Sequence, residues 1–257
     1  MAEVLQIEQI PVLKDNYVYL VREPIEGMVG VVDPAVVEPV LERARTLGWR
    51  ITHILNTHHH GDHVGGNLEI KQATGCTIVG PRADRARIPG IDIEVGDGEN
   101  YRFGAAEAEV FDVPGHTRGH IAYWFAKADA LFCGDTMFAL GCGRLFEGTP
   151  QQMWTSLGKL RRLPDATRIY CAHEYTQSNA RFALTVEPNN PELVARSHRI
   201  DDRRAQGLPT VPSLLGEEKQ TNPFLRADQP RLAANVGLDA GDPVAVFAEV
   251  RRRKDVF

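Results

Sequence analysis

The segment Thr57–His63 reads THHHGDH and places four histidines and an aspartate within six consecutive positions. Packing has no use for such a cluster, because each imidazole or carboxylate needs polar partners when it is buried. Imidazole nitrogens and carboxylate oxygens are the groups that bind zinc and similar divalent ions. The segment therefore predicts a metal site.

The order of these residues predicts two neighbouring metal positions. His58 and His60 follow a predicted strand and are two residues apart, so alternation turns both side chains to the same side. The glycine after them redirects the chain, and Asp62 and His63 are then expected to face a second ion. His59 lies between two ligands and is expected to point away from them.

Three further candidate ligands, His116, Asp135 and His173, each follow an apolar segment typical of a buried strand. Functional groups gather at strand ends in α/β folds, because the loops there meet at one edge of the sheet. Together with the motif above, these residues suffice for two ions if one carboxylate bridges them. Spacing alone leaves the bridge open, since Asp33 and Asp112 are physical rivals to Asp135.

Short apolar or alternating segments bounded by turn residues predict an α/β body over residues 1–172. Its predicted strands are Val4–Ile10, Tyr17–Val21, Val29–Val32, Ile51–Leu55, Thr77–Val79, Glu107–Phe111, Ile121–Phe125, Ala130–Cys133 and Arg168–Cys171. Amphipathic segments with capping residues predict helices. These begin near Pro39, Pro150, Thr176, Pro191 and Pro243. Strand signals disappear after His173, so residues 173–257 are predicted to form a small helical domain, loop-rich between Pro209 and Pro223.

The 257 residues carry a net charge of −5, with 43% hydrophobic and 25% charged residues. This balance is typical of a globular protein and gives no case for attraction to nucleic acid or a membrane. No apolar run approaches the roughly 18 to 20 residues of a membrane helix, and no signal peptide is expected, because Met1-Ala2-Glu3 has neither a basic start nor an apolar core. The four cysteines form no CxxC pair and are expected to be reduced core residues. A cytoplasmic protein is expected.

The motifs THHHGDH, PGHT at residues 114–117 and GDT at residues 134–136, followed by His173, resemble the metallo-β-lactamase superfamily. More narrowly, the chain resembles the glyoxalase II family of hydroxyacylglutathione hydrolases, over essentially its whole length. The resemblance implies an αββα sandwich of two mixed sheets with a small C-terminal helical domain. It also implies a ligand set for two divalent ions. One ion takes His58, His60 and His116, the other takes Asp62, His63 and His173, and Asp135 bridges both.

The resemblance further implies the reaction, which is hydrolysis of S-D-lactoylglutathione to glutathione and D-lactate, the second step of methylglyoxal detoxification. Asp62 and Asp135 would help to bind the ions. Hydroxide held between the ions would attack the thioester. Glutathione leaves as the thiolate of a thiol whose pKa is about 8.5, so no separate general acid is assigned. Zinc is the implied metal, and iron or manganese also suits a site of histidine and aspartate. A monomer is expected.

Glutathione carries two carboxylates, so a cationic patch is the expected basis of selectivity. Arg251 and Lys254 are three residues apart on the last predicted helix, and by resemblance they meet the glycine carboxylate. Arg144 and Tyr175 are similarly expected to contact the peptide. Phe146 departs from the family pattern, which often has tyrosine there, so a hydroxyl contact is lost.

Other functions fit parts of the pattern. A persulfide dioxygenase of the same superfamily would use one iron and oxygen, but the helical tail with Tyr175, Arg251 and Lys254 argues against it. A lactonase or β-lactamase would not require this cationic tail. A scaffold with a purely structural metal predicts closed coordination, whereas seven dispersed ligands with one bridge leave positions open for water and substrate.

Overall fold

The computed structural model describes residues 5–257, which divide into two compact units. The first unit comprises the described residues up to Asp112 together with Arg118–Gly134. The second unit comprises Val113–Thr117 and Asp135–Phe257. The chain therefore enters the second unit briefly near residue 115, returns to the first, and then completes the second.

The first unit contains a mixed sheet in the strand order β1 to β6. These strands are β1 (Gln6–Val12), β2 (Asn16–Arg22), β3 (Val29–Val32), β4 (His53–Leu55), β5 (Thr77–Pro81) and β6 (Ile93–Val95). The β1–β2 and β2–β3 pairs are antiparallel, and the pairs from β3 to β6 are parallel. Parallel neighbours require crossover connections. These connections contain α1 (Glu38–Leu47), α2 (Gly61–Val64) and α3 (Asn67–Thr74).

Four antiparallel strands form the second sheet of this unit. They are β7 (Asn100–Phe103), β8 (Ala106–Asp112), β9 (Ile121–Phe125) and β10 (Ala130–Gly134). The ring of Tyr19 in β2 meets that of Phe132 in β10 edge-on, with 5.6 Å between centroids. Apolar side chains of the two sheets are thus buried against each other, which follows from the apolar faces that each strand carries.

The second unit is mainly helical. Its short strands are β11 (Met137–Phe138), β12 (Gly141–Cys142), β13 (Arg168–Cys171) and β14 (Ser213–Leu214). Its helices are α4 (Pro150–Arg161), α5 (Thr176–Val186), α6 (Pro191–Ala205), α7 (Leu215–Thr221), α8 (Pro230–Val236) and α9 (Pro243–Asp255). Helix α4 begins with the predicted capping box, in which Thr149 and Gln152 each bond the other's backbone N–H.

The β11–β12 hairpin is fastened to the helices by buried polar side chains. Leu140 has a φ of 57° in the hairpin turn, and its N–H donates to the carboxylate of Glu218 at 2.9 Å. The amide of Asn222 donates to the carbonyl of Gly141 at 3.0 Å. Arg196 is buried as well and forms an ion pair with Glu218. The tight turn therefore depends on partners from α6, α7 and the residue after α7.

The arrangement of sheets followed by helices is confirmed. Every predicted strand is found with its ends shifted by no more than two residues, although Val4 lies outside the described residues, as does the Met1-Ala2-Glu3 start. Strands β6, β7, β11, β12 and β14 and helices α2, α3, α7 and α8 were not predicted, because each is short and lacks a clear period. All four cysteines are buried and free, as expected. Within residues 5–257, no helix is both long and apolar enough to cross a bilayer.

Candidate functional site

The loop between β4 and α2 carries the histidine-rich motif of the first unit. The Nε2 atom of His58 lies 3.1 Å from the Nδ1 atom of His60, and the two ring centroids are 4.7 Å apart. The centroids of His58 and His59 are 6.4 Å apart, with the rings nearly perpendicular. His58 and His60 thus lie on the same side of the loop, as alternation predicted, and two nitrogens at this separation can converge on one cation.

A buried aspartate, Asp33, orients the imidazole of His63 directly and that of His58 through Thr57. It accepts hydrogen bonds from the backbone N–H of Thr57 at 2.8 Å and from the Thr57 hydroxyl at 2.6 Å. The same carboxylate lies 3.1 Å from Nδ1 of His63, and the Thr57 oxygen lies 3.1 Å from Nδ1 of His58. Because Nδ1 of each ring is engaged there, Nε2 is the atom that can bind a metal. Asp33, which spacing left as a rival bridge, therefore orients two of the candidate ligands.

Asp62 lies in the first turn of α2, next to His63. Its Oδ2 atom is 3.7 Å from Nε2 of His63 and accepts a hydrogen bond from the side-chain amide of Asn16 at 3.0 Å. Asn16 is buried at the start of β2. This role of Asn16 was not predicted, because a single asparagine at a strand start belongs to no ligand motif.

The remaining histidines near the motif have other partners. The Nδ1 atom of His59 lies 3.0 Å from a carboxylate oxygen of Asp84, so the ring points away from the paired nitrogens, as expected. His120 stacks on His58, with centroids 4.4 Å apart and planes 19° apart. Its Nδ1 lies 3.0 Å from the carbonyl oxygen of Ile121. His120 thus supports the His58 ring as a satisfied buried residue.

The second unit brings His116, Asp135 and His173 together. The Nε2 atoms of both histidines lie 3.4 Å from the Asp135 carboxylate, one at each oxygen. All three residues are buried. The Nδ1–H of His116 donates to the carbonyl of Arg144 at 2.8 Å, which directs Nε2 toward Asp135. A carboxylate with an imidazole beside each oxygen has the form expected of a bridging ligand.

The backbone at Gly143 lies in close contact with both Asp135 and His116. A Cβ atom at this position would lie 2.1 Å from the Asp135 carbonyl oxygen and 2.9 Å from Nδ1 of His116. Neither neighbour can yield, because one is backbone and the other is held by its hydrogen bond. This close contact therefore requires glycine at position 143.

The donor chemistry of both units fits divalent metal ions. The first unit offers three imidazoles and the Asp62 carboxylate, and the second offers two imidazoles and the Asp135 carboxylate. Nitrogen and oxygen donors of this kind suit zinc, iron and manganese. Three of the rings are held at Nδ1 by a protein oxygen, which is the usual outer support of metal-binding histidine.

Two aromatic side chains flank the ligands of the second unit. The Tyr175 ring stacks on His173, with centroids 4.7 Å apart and planes 3° apart, and it is 38% exposed. The Phe146 ring lies edge-on to His116 at 5.2 Å and is 63% exposed. Such exposure of large rings beside buried ligands is typical of a substrate-contacting surface.

Arg251 has partners within the second unit. It is 5% exposed, and its Nη1 donates to the carbonyl of Cys142 at 3.0 Å. Its Nε donates to Asp255 at 3.0 Å, and the guanidinium lies 5.0 Å from the centroid of the Phe224 ring. These contacts anchor α9 to β12. Direct contact between Arg251 and a substrate remains a prediction.

Lys254 lies in a cluster of like charges. Its Nζ is 3.4 Å from both the carbonyl oxygen and the hydroxyl of Ser178 on α5. Burial lowers the pKa of Lys254 to about 8, with further contributions from Arg251, Arg181 and Arg144. We call Arg144, Arg181, Arg251 and Lys254 the cationic cluster. The sequence did not single out Arg181, because an exposed arginine on a helix is ordinary.

Comparison with known proteins covers nearly the whole chain. Residues 14–173 match the model of the metallo-beta-lactamase superfamily, and residues 174–257 match that of the hydroxyacylglutathione hydrolase C-terminus. A hydroxyacylglutathione hydrolase of Methylococcus capsulatus is 62% identical over 253 residues, covering 98% of this chain and 99% of the relative. One of Rhodospirillum rubrum is 58% identical with the same coverage. The predicted metallo-β-lactamase fold is confirmed.

Solved structures show the same fold at lower identity. The structure of ETHE1 from Myxococcus xanthus is 23% identical, with a TM-score of 0.69 and coverage of 96% of this chain and 90% of that one. TTHA1623 in a di-iron-bound form is 25% identical, with a TM-score of 0.59 and coverage of 86% and 100%.

Proposed function

This chain belongs to the hydroxyacylglutathione hydrolase family of the metallo-β-lactamase superfamily, and we propose that it hydrolyses S-2-hydroxyacylglutathiones, with S-D-lactoylglutathione as the main substrate. The products are glutathione and D-lactate, which makes the reaction the second step of methylglyoxal detoxification. The observation that carries the proposal is that Asp135, with an imidazole at each oxygen, lies in the same compact unit as the cationic cluster. That unit combines metal donors with groups that attract an anionic peptide.

We propose that the site holds two ions, with the ligands assigned as the family resemblance implies. One ion would be bound by His58, His60 and His116 and the other by Asp62, His63 and His173, and Asp135 would bind both. Zinc is the proposed metal, with iron or manganese as alternatives. The buried donors and their fixed ring orientations support this assignment. When bound, the ions supply hydroxide near neutral pH and stabilise negative charge on the thioester oxygen.

Other side chains of the protein hold the proposed ligands in fixed orientations. Asp33 and Thr57 hold the imidazoles of His58 and His63, and the Arg144 carbonyl holds His116, so each ring keeps one tautomer. Asp62 is kept in place by an asparagine amide. The glutathione thiolate is a good leaving group at a thiol pKa of about 8.5, so we assign no general acid.

We propose that the substrate peptide is bound by Arg144, Tyr175, Arg251 and Lys254. Two glutathione carboxylates find compensating charge in the cationic cluster, and the exposed Tyr175 ring lies beside His173. Residues 173–257 would then form the substrate-binding domain and residues 1–172 the metal domain. We further propose that the protein is a cytoplasmic monomer.

The test is hydrolysis of S-D-lactoylglutathione, run with metal analysis on the same preparation. We expect about two ions per chain and loss of turnover in Asp135→Ala and His60→Ala. Asp112→Asn is the matched control and should keep turnover. Asp112, at the end of β8, is a rival carboxylate that the proposed ligand set excludes. Undiminished hydrolysis in metal-free protein would refute the mechanism.

A persulfide dioxygenase remains the alternative to exclude. The likeness to ETHE1 at 23% identity is a likeness of fold. Oxygen consumption with glutathione persulfide, measured on the same preparation, should be negligible beside thioester hydrolysis. The opposite result would assign the chain to the dioxygenases.

A further inference from the structure

His59, the histidine between the two paired candidate ligands, is held by a charge pair of the buried Asp84 and the partly exposed Arg87. Nδ1 of His59 lies 3.0 Å from Oδ2 of Asp84, and Nε2 of His59 lies 3.0 Å from Nη1 of Arg87. Arg87 also donates to Oδ1 of Asp84, from Nη2 at 2.5 Å and from Nε at 3.2 Å. The three side chains thus close a ring of hydrogen bonds, which we call the His59 brace.

The donors in this ring fix the tautomer of His59. An arginine side chain can only donate, so Nε2 of His59 must accept from Arg87. The proton of the neutral ring then resides on Nδ1 and is donated to Asp84. Each ring nitrogen has a partner of the required kind, and the ring has one orientation in which both bonds form.

Asp84 cannot easily move from this position. It is 2% exposed, at the base of the short 3-10 helix Arg82–Arg87. A Cβ atom on Gly119 would lie 2.2 Å from the Asp84 Cγ atom, so the neighbouring backbone packs directly onto the carboxylate. The fixed end of the brace is therefore Asp84, and His59 is the part that is held.

We propose that Asp84 and Arg87 are positioning residues that hold the loop so that His58 and His60 present their nitrogens together. Alternation along the chain places His59 opposite its two neighbours, and a ring locked on that side restricts the peptide planes on both sides of it. The 3.1 Å separation of the His58 and His60 nitrogens is then set before a metal binds. This inference rests on the proposed metal centre.

The test compares Asp84→Asn with Asp92→Asn. An asparagine at position 84 keeps the shape of the side chain but cannot accept from both His59 and Arg87. Asp92 is a matched control in the same unit, since its carboxylate pairs with Lys71 and accepts the N–H of Ile78. Zinc affinity is measured by chelator competition on full-length protein. We expect a loss of about tenfold for Asp84→Asn, the lower end for outer partners of metal ligands, and none for Asp92→Asn.

A second pair of variants tests the same inference in case Asp84→Asn fails to fold. Arg87→Gln leaves Asp84 in place and should lower zinc affinity in the same direction, whereas Arg85→Gln, whose partner is Glu94 at the surface, should not. The absorption spectrum of the cobalt-substituted protein reports ligand geometry, so it should change in Arg87→Gln and in Asp84→Asn but not in Arg85→Gln.

Unchanged zinc affinity and cobalt spectrum in both brace variants would overturn the inference, even if the metal-free protein melted at a lower temperature. Equal losses in the control variants would also overturn it, because a general loss of stability would explain them. A wild-type protein that binds no zinc, iron or manganese would instead refute the proposed function itself.

Discussion

The charge of Lys254 should be lost within a range of pH that is easy to measure. Burial, followed by three neighbouring arginines, lowers its pKa from the ordinary 10.5 to about 8. The ammonium is therefore present below pH 8 and is lost as the pH rises through that value. If Lys254 pairs with a glutathione carboxylate, ligand affinity should fall across the same range, because the neutral amine has no charge to offer.

The expected size follows from the pKa. With a pKa of about 8, the fraction of Lys254 that is charged falls from about nine-tenths at pH 7 to about one-tenth at pH 9. A bound carboxylate keeps the lysine charged in the complex, so Kd should rise by about tenfold between these values. Lys254→Arg removes the titration while keeping the charge, because the guanidinium stays protonated throughout.

Calorimetry with S-methylglutathione provides the assay, since this thioether is not hydrolysed and has no thiol to ionise. The ratio of the wild-type Kd to the Lys254→Arg Kd cancels the titration of the ligand's own amino group. That ratio should increase about twofold from pH 7 to pH 8 and about tenfold by pH 9. A ratio that stays flat over this range would refute the assignment of Lys254 to the carboxylate.

Three further variants test other parts of the structure. Asp33→Ala removes the acceptor behind two imidazoles and should lower zinc affinity by about 10- to 100-fold in a chelator competition; an unchanged affinity would count against its orienting role. Phe146→Tyr should lower KM by about fivefold with kcat unchanged, as one added hydrogen bond of about 1 kcal/mol allows. Arg196→Met leaves Glu218 buried without its cation and should reduce the free energy of unfolding by about 3 to 5 kcal/mol in urea. The exposed Arg199→Met is its control and should cost less than about 1 kcal/mol.

The candidate ligands could be proposed from the sequence because their signal is local. His58, His60, Asp62 and His63 share one short motif, and the other candidates stand at the ends of apolar strands. The side chains that orient these ligands were not predictable in the same way. Asp33 approaches the motif across a strand pairing of residues more than twenty positions apart, which no periodicity along the chain encodes.

The elements missed from the sequence are those with little pattern of their own. Helices α7 and α8 span seven residues each and lie between prolines, so composition favoured a loop. Their positions depend on tertiary partners, such as the bonds from Glu218 and Asn222 to the β11–β12 hairpin. Helices α4 and α6, in contrast, begin at the predicted residues and are capped by the side chains of Thr149 and Asn190, whereas the predicted cap Thr176 of α5 is replaced by Tyr175, which makes no side-chain cap bond.

The hydrogen bonds that hold the β11–β12 hairpin determine where chimeras between this protein and its relatives can be joined. Asp135 precedes that hairpin by two residues, and the carboxylate and amide that complete the hairpin come from Glu218 and Asn222. A chimera joined at residue 174 would separate the turn from these groups. A graft that begins before Asp135 would carry this carboxylate, the hairpin and the side chains that hold the hairpin as one segment, so a change of substrate range need not disturb the turn.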